Sequence, residues 1–286
     1  MRYYIIAGEA SGDLHGSNLM KELKVADKEA DFRFFGGDKM QAVGGELVKH
    51  YREMAFMGFV NVILNIRTIK RNMEFCKNDL LTYKPDVLIL IDYPGFNLRI
   101  AEFAKQNNIK VYYYISPKLW AWKEYRVKKV RAFVDEMFTI FPFETEFYKK
   151  HGIDVNYVGN PLFDSIKEFE KTAQSAADFK TKNNLDERPI IALLAGSRVQ
   201  EIKGTLPVMK KAVEGRNDYQ VVLAGVSSVD KVLYDGILQG SNIKVIYEST
   251  YDLLNNAHTA LVASGTAALE TALFHVPQTV LYKVEG

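Results

Sequence analysis

Short apolar runs alternate along the chain with longer amphipathic stretches, and this alternation restricts the fold more than any other feature. Runs such as 87–91 and 190–195 are bounded by turn residues, and the segments between runs have helical periodicity. Strands that alternate with helices are typical of a parallel sheet covered by helices. The sequence therefore predicts an α/β fold, with strands at 3–7, 32–36, 87–91, 111–115, 137–140, 155–158, 190–195, 221–224, 245–247, 260–263 and 279–282.

A polar stretch separates two such series. Residues 167–189 contain few large apolar side chains and many charged and amide ones, so we predict a linker there. We expect two Rossmann-like domains, an N-terminal one over 1–165 and a C-terminal one over 166–286, facing a shared central cleft, where ligands bind such folds. The last predicted strand has no closing helix after it, so the C-terminal domain is expected to be incomplete.

Composition limits the binding partners and the cellular compartment that the sequence predicts. Lys and Arg total 37 against 35 Asp and Glu, so no global basic field favours nucleic acid. Cys76 is the single cysteine and is expected to pack in the core, in a reducing compartment. No apolar run reaches the roughly 18 residues of a spanning helix, and the first run is too short for a signal peptide. We expect a cytoplasmic protein, either soluble or attached to a surface.

Metal ligands do not cluster in the sequence. The five histidines are scattered, and no Asp-x-Asp pair occurs. We therefore expect neither a metal nor another cofactor, and charge on a leaving group would be met by arginine and helix amides.

A carboxylate follows the most apolar strand. Asp92 comes directly after the run at 87–91 and precedes Tyr93 and Pro94. At the carboxyl end of a strand in a cleft, it is placed to act as a general base. Alternatively Asp92 caps a turn or the next helix, although Asn97 is the better cap because the helical pattern begins just after it.

The segment Gly196-Ser197-Arg198 ends the first strand of the second domain. Glycine permits a close backbone approach, Ser197 can cap the following helix, and the planar Arg198 cation suits a diphosphate or a carboxylate. An ordinary strand-to-helix turn with a solvated arginine is the alternative.

A second segment of small residues, at 263–270, also opens a helix. Amides of Gly265 and Thr266 would point at an anion, and Glu270 could accept hydrogen bonds from both hydroxyls of a ribose. Alternatively Ser264 caps the helix and Glu270 is solvated.

The opening stretch GEASGDLHG, residues 8–16, predicts a glycine-rich turn before a helix. Its glycines fit neither the dinucleotide pattern nor the nucleophile elbow, so NAD binding and serine-hydrolase chemistry lose support. Glu9 and Asp13 instead suggest a hydroxyl-rich ligand, with the glycines letting it approach the backbone.

A predicted helix at 54–73 contains no acidic residue. Its apolar residues cover more than a core-facing stripe requires, and Arg67, Lys70 and Arg71 share one face. This pattern favours a membrane-surface helix with basic residues at anionic headgroups. Its lipid-facing side chains would be Phe56, Met57, Phe59, Val60 and Ile63. A buried helix of the N-terminal domain is the alternative.

Eight stretches, in this order, together resemble the lipid-A-disaccharide synthase family, inverting glycosyltransferases of the GT-B type. They are AGEASGD, MGFVNV, KPDVLILIDYPGFN, YYISPKLWAW, FPFE, YVGNPLFD, LLAGSRVQEI and ASGTAALE. The resemblance implies condensation of UDP-2,3-diacylglucosamine with 2,3-diacylglucosamine 1-phosphate to the β-1,6 tetraacyl disaccharide 1-phosphate and UDP. UDP is thus part of the donor substrate and not a separate cofactor.

The resemblance also implies site roles. Asp92 would be the base, and Arg198 would balance the diphosphate. Ribose and phosphates would be held by Ser264, Gly265, Thr266 and Glu270, and Glu9 with Ser11 would line the cleft. Further substrate-binding positions would be Gly12, Asn97, Ser116, Trp120, Asn160, Gly196 and Ser197. Many members carry aspartate where this chain has Gly95, so any role of that carboxylate is absent here.

Location and assembly follow from the same resemblance. Acylated substrates imply docking on the inner face of the inner membrane of a Gram-negative bacterium, and family chains continue beyond residue 286 and form homodimers.

Two alternative functions remain open. One is a UDP-N-acetylglucosamine 2-epimerase, which would share the UDP-binding half of the chain. A non-catalytic UDP-sugar or lipid-binding module would have no need of Asp92.

Overall fold

The computed structural model describes residues 1–54, 66–121 and 123–282. The chain divides into two compact units, Met1–Pro161 and Leu162–Gly286, just before the predicted boundary at 165. Each unit contains one sheet whose strands all pair in parallel, with helices between successive strands. The α/β fold with two Rossmann-like units is therefore confirmed.

The sheet of the first unit has seven strands in the order β3-β2-β1-β4-β5-β6-β7. Their bounds are β1 Arg2–Ala7, β2 Asp31–Gly36, β3 Glu46–His50, β4 Val87–Ile91, β5 Lys110–Tyr114, β6 Glu136–Thr139 and β7 Asn156–Tyr157. The strand order reverses between β1 and β4, which pair directly. In open α/β sheets, ligands bind at the carboxyl ends of the strands at such a reversal. The ends of β1 and β4 therefore mark the place to look for a site.

Six α-helices of the first unit are described: α1 Ala10–Ala26, α2 Asp38–Val43, α3 Ile66–Tyr83, α4 Pro94–Gln106, α5 Val127–Phe133 and α6 Pro142–Lys150. Short 3₁₀ helices cover Tyr51–Glu53 and Glu124–Arg126.

Helix α3 shows why these segments are helical. Its buried residues recur at spacings of three and four, which brings Met73, Cys76 and Leu80 onto one face against the sheet. The core position of Cys76 is thereby confirmed.

The basic, acid-free helix predicted at 54–73 differs from the observed one. Met54 follows a 3₁₀ turn and is buried in the core, and α3 continues past residue 73 to Tyr83. Arg67, Lys70 and Arg71 are exposed in the first half of α3. The predicted lipid-facing residues Phe56, Met57, Phe59, Val60 and Ile63 lie outside the described residues. Among the helices of the described ranges, none combines the length and apolarity needed to cross a membrane.

The second unit has a five-stranded sheet in the order β10-β9-β8-β11-β12. The strands are β8 Ile190–Leu194, β9 Gln220–Gly225, β10 Lys244–Tyr247, β11 Thr259–Ala263 and β12 Gln278–Leu281. Its helices are α7 Pro161–Glu170, which begins at the unit boundary, α8 Ala176–Lys182, α9 Val199–Val213, α10 Lys231–Leu238, α11 Thr250–Asn256 and α12 Thr266–Leu273.

The predicted linker at 167–189 is wrong, because this stretch includes the end of α7 and all of α8. Ser175 caps α8 by accepting a hydrogen bond from the Asp178 backbone N–H at 3.1 Å. Phe179 is fully buried against the second sheet. A short surface helix needs only one or two apolar anchors, so its composition resembles that of a linker.

Every predicted strand is present to within a residue or two at each end, but β3 was not predicted. β3 is an edge strand, its residues Glu46–His50 are exposed or half-buried, and its pairing with β2 shifts register between Phe34 and Phe35. Charged side chains and irregular pairing are typical of strands that must not recruit another edge. These features also remove the apolar signal that marks the central strands.

Candidate active site

The loop after β4 has a strained backbone. Asp92 and Tyr93 have φ angles of 42° and 48°, in the left-handed region that few non-glycine residues occupy. At the end of the neighbouring β5, the β-branched Ile115 has a φ of 64°. Strain of this kind persists only where surrounding contacts enforce it, and it concentrates at functional sites. The geometry singles out the carboxyl ends of β4 and β5.

Wholly or partly buried hydrogen bonds hold the strained loop. The Tyr113 hydroxyl donates to the Asp92 carbonyl oxygen at 2.5 Å, and the Tyr93 hydroxyl donates to the Met54 carbonyl at 2.9 Å. The fully buried Asn97 amide donates to the carbonyls of Ile91, at 3.2 Å, and Asp92, at 2.7 Å. These donors fix the direction in which residue 92 leaves the strand.

The N-terminus of α4 corrects two predictions. The helix begins at Pro94 and its N-cap is Tyr93, so Asn97 lies inside the helix and is not its cap. Proline at the first helical position is favourable because its missing N–H would be unpaired there anyway. Asp92 lies before the capping position, so the alternative role as helix cap is wrong. Asn97 contacts the loop backbone, which makes it a positioning residue for Asp92.

Burial raises the pKa of Asp92 from its ordinary value to about 6, and the negative charge of Glu9 adds to the rise. The Lys118 charge and the Tyr93 backbone N–H oppose it, while Glu144 adds a small further increase. A carboxylate with a pKa near 6 is ionised at neutral pH and still basic enough to take a proton in a transition state. The same interaction shows that Glu9 and Asp92 share one electrostatic environment.

A second buried polar group stands beside this loop. Ser116 is buried, and its hydroxyl lies 2.8 Å from the Tyr148 hydroxyl. The Glu144 carboxylate accepts from the backbone N–H groups of Ile140, at 3.1 Å, and Phe141, at 3.0 Å. Burial raises the pKa of Glu144. The two backbone donors and the side chains of Ser116 and Trp120 oppose this rise without cancelling it. Ser116 therefore contacts protein groups in this structure.

Glu144 was not predicted as part of the site, although a signal existed. It is the last residue of the FPFE stretch, three residues after the N-cap of α6, where glutamate commonly accepts from the N-cap backbone. Trp120 is 42% exposed and packs edge-on against Phe143, with ring centroids 4.9 Å apart. Of the predicted substrate-binding residues Ser116 and Trp120, Trp120 has the exposed side chain and remains accessible to a ligand. Asn160, another predicted position, is buried just before α7.

The opening segment is mostly helix and not a glycine-rich loop. Helix α1 begins at Ala10 with Glu9 at its N-cap, so Ser11 and Gly12 lie in its first turn. Asp13 is buried and accepts backbone hydrogen bonds from Gly37 at 2.7 Å, Lys39 at 3.0 Å and Met40 at 3.1 Å. Asp13 thus caps α2, and its predicted role toward a hydroxyl-rich ligand is wrong.

The glycines of this segment allow close packing. A Cβ added at Gly16 would lie 2.6 Å from the Met40 sulfur, and one at Gly12 would lie 3.2 Å from the Ala7 side chain. A Cβ at Gly8 would lie 2.4 Å from the ring of Tyr93. Protein atoms occupy the space that the prediction gave to a ligand. The spacing of four residues places Gly12 and Gly16 on one face of α1, where the helix packs against its neighbours.

In the second unit, Glu201 organises the segment after β8. Its carboxylate accepts from the backbone N–H groups of Ser197, at 2.9 Å, and Arg198, at 3.3 Å, and pairs with the Arg198 guanidinium at 2.7 Å. Gly196 has a φ of 103°, and a Cβ there would meet the Glu201 carboxylate at 2.6 Å. The predicted Ser197 cap is therefore wrong, because Glu201 caps α9. Arg198 is half-exposed beside this carboxylate.

The other predicted segment follows β11, the strand next to β8 in the second sheet. Ser264, Gly265 and Thr266 are exposed at the start of α12, whose N-cap is Gly265, so Ser264 is not the cap. Glu270 accepts a hydrogen bond from the Tyr251 hydroxyl at 2.8 Å and is not simply solvated. Burial raises the pKa of Glu270, and the Tyr251 hydrogen bond opposes the rise.

The two segments lie at the carboxyl edge of adjacent parallel strands, which is where this class of sheet binds nucleotides. Tyr251 was not predicted, because a tyrosine one helix away gives no sequence signal of its contact with Glu270. Among the described residues, no group of three or more histidine, cysteine, aspartate or glutamate side chains could hold a metal ion.

The two Rossmann-like units, each with candidate ligand-binding segments at the carboxyl ends of its strands, define the GT-B architecture. A solved structure of a putative UDP-N-acetylglucosamine 2-epimerase from Listeria monocytogenes is similar in fold, with a TM-score of 0.71 at 15% identity over 98% of this chain and 79% of that one. The lipid-A-disaccharide synthetase family model matches residues 3–286. The chain belongs to this family.

Curated relatives agree with the family model. Lipid-A-disaccharide synthase of Geobacter metallireducens is 39% identical over 99% of this chain and 74% of the relative. The synthase of Syntrophus aciditrophicus is 38% identical over 99% of this chain and 75% of the relative. The resemblance drawn from the eight sequence stretches is thereby confirmed.

Proposed function

We propose that this chain is an inverting glycosyltransferase that condenses UDP-2,3-diacylglucosamine with 2,3-diacylglucosamine 1-phosphate. The products are the β-1,6-linked tetraacyl disaccharide 1-phosphate and UDP. Membership in the lipid-A-disaccharide synthase family supports the reaction class. The observation that carries the mechanism is Asp92, a half-buried carboxylate with a pKa of about 6 on a strained loop at the sheet reversal.

In the proposed step, the acceptor 6-hydroxyl attacks C1 of the donor sugar while the Asp92 carboxylate takes the hydroxyl proton. The new C1–O6 bond forms as the bond from C1 to the UDP oxygen breaks, and its electron pair leaves with the diphosphate. Attack opposite the departing group inverts the configuration at C1. The hydrogen bonds to the backbone of the loop hold Asp92 in position before the substrate arrives, and this contributes to the rate.

The second unit would bind UDP. Arg198 offers a planar cation to the diphosphate, and the amides at Gly265 and Thr266 begin a helix whose positive end favours phosphate. Glu270 would accept from the ribose hydroxyls. Arg198 pairs with Glu201 and Glu270 with Tyr251, so each is held in position before a ligand arrives. These partners restrict the side-chain motion that binding would otherwise have to arrest.

The decisive experiment replaces the base. Asp92→Asn keeps the size of the side chain but cannot take the proton, so we expect turnover to fall by about 10²–10⁴-fold. The product is measured by mass spectrometry after incubation with both acylated sugars, and UDP binding is measured by calorimetry and should be unchanged. Asp154→Asn, on an exposed aspartate outside the site, is the matched control. An undiminished rate in Asp92→Asn would remove this residue as the base.

We also propose that the protein docks on the anionic inner leaflet through the first half of α3. Arg67, Lys70 and Arg71 are exposed there, and each basic residue near such a surface is worth about 1 kcal/mol of binding. Changing all three to glutamate should release the protein from phosphatidylglycerol vesicles in a co-sedimentation assay. A control with the same charge change uses exposed lysines on other helices: Lys21, Lys182 and Lys203. Equal sedimentation of both variants would refute docking through α3.

A further inference from the structure

A groove of about 450 Å³ in the first unit combines basic and apolar side chains. Arg99, Lys123, Arg126 and Lys129 contribute cations, and Ile66 and Ile69 of α3 contribute apolar surface. None of the described residues that line it is acidic. A groove of this size admits a sugar-sized group with part of its substituents. Its composition fits a ligand that carries both an anion and hydrocarbon.

The groove adjoins the proposed base. Tyr93, Pro94 and Gly95, the three residues after Asp92, form part of its wall. A Cβ built at Gly95 would meet no atom within 4 Å, so the missing side chain leaves that part of the wall open. A ligand in the groove would therefore lie along the same loop that presents Asp92.

The cations come from three different parts of the unit. Arg99 lies on α4, Lys123 precedes the 3₁₀ turn Glu124–Arg126, Arg126 ends that turn, and Lys129 follows on α5. Glu102 pairs with Lys129 at 2.8 Å and fixes its position. Guanidinium groups pair bidentately with phosphate oxygens, so the two arginines give the groove the chemistry of a phosphate site.

We propose that this groove binds the phosphate of the acylated acceptor sugar, with Arg99, Lys123 and Arg126 on the phosphate and the α3 isoleucines against the nearest acyl methylenes. The inference rests on the proposed function, since it takes the acceptor to be an acylated sugar phosphate. A membrane phospholipid offers the same phosphate chemistry but has no sugar hydroxyl to place at the base. The position of the groove beside Asp92 favours the acceptor.

The test is an acceptor KM measured in detergent micelles for Arg126→Gln and for Lys123→Gln. Loss of one charge-assisted contact should raise the acceptor KM about tenfold to a hundredfold and leave the donor KM unchanged. With diacylglucosamine that lacks the phosphate, wild type and variants should have the same raised KM. Lys128→Gln is the control, because Lys128 is exposed on α5, two residues after Arg126, and does not line the groove.

Two further arms separate the possible failures. Equilibrium binding of the acceptor without donor, compared with and without its phosphate, tests the groove in the absence of turnover. Phosphate-dependent binding that both variants lose supports the groove assignment, even if the wild type makes no product. The absence of product would refute only the proposed function. An active wild type with an unchanged acceptor KM in folded variants overturns the groove assignment. Loss of phosphatidylglycerol vesicle binding with an unchanged acceptor KM also overturns it, and assigns the groove to a lipid headgroup.

Discussion

The charges around Asp92 predict that two substitutions shift the pH dependence of the reaction in opposite directions. Glu9 raises the pKa of Asp92 and Lys118 lowers it. Glu9→Gln should therefore lower this pKa, and Lys118→Gln should raise it. Because a general base works only when it is deprotonated, activity falls as pH drops through the pKa of Asp92, about 6.

The size of the effect follows from the titration curve. A charge that is near but not in direct contact is worth roughly half to one unit of pKa. At pH 5 a carboxyl of pKa 6 is about one-tenth ionised, so Glu9→Gln should raise activity at that pH roughly three- to fivefold relative to its own plateau. Lys118→Gln should lower the corresponding ratio roughly three- to ninefold.

The assay is kcat/KM for the acceptor from about pH 4.5 to about pH 8.5, a range that covers both the acid limb and the plateau. Each variant is scaled to its own plateau, which removes any effect of the substitution on binding. Glu22→Gln, on an exposed residue of the same helix as the Glu9 cap, should leave the curve unchanged. Shifts of both variants in the same direction, or none, would refute the assignment of the acid limb to Asp92.

Three substitutions test how the site is held. Gly8→Ala places a methyl 2.4 Å from the Tyr93 ring, so it should lower the free energy of unfolding in urea by about 1–3 kcal/mol and also lower kcat. The control Gly236→Ala has open space at its Cβ and should change neither quantity. Asn97→Leu removes two hydrogen bonds to the loop carbonyls and should lower kcat about tenfold to a hundredfold with the donor KM unchanged; a normal kcat would contradict its positioning role. Asp13→Ala leaves three backbone N–H groups, two of them buried, without their acceptor and should lower the free energy of unfolding by about 1–3 kcal/mol. Unchanged thermal unfolding would contradict the cap.

Strands buried on both faces could be predicted from the sequence, and polar contacts across loops could not. β4 is five consecutive buried apolar residues, a pattern that is typical of a central parallel strand. Glu201 and Glu144 each accept backbone N–H groups at a helix start, and the glutamate three residues into the helix was a readable signal that was missed. The contact of Tyr251 with Glu270 depends on how two helices approach, which local sequence does not encode.

The opening segment shows why glycine is ambiguous in sequence. Gly12 and Gly16 were interpreted as room for a ligand, but the same absence of a side chain also lets a helix approach a sheet. Only the neighbouring atoms distinguish the two uses, and those come from residues 7 and 40. Asp13 was misinterpreted for the same reason, since the backbone groups that it accepts from belong to a helix some 25 residues later, as the 24 to 27 residue separations show.

The position of β1 in the middle of its sheet has a consequence for synthesis of the chain. Tyr3 pairs with Val87, so one edge of this largely apolar strand stays unpaired until the ribosome has added 84 further residues (87 − 3). At about 5–20 residues per second, that interval lasts roughly 4–17 seconds, during which the nascent chain carries an unpaired, aggregation-prone edge. Nascent chains arrested before β4 should bind ribosome-associated chaperones and be digested rapidly by protease, whereas chains arrested well after β5 should resist digestion.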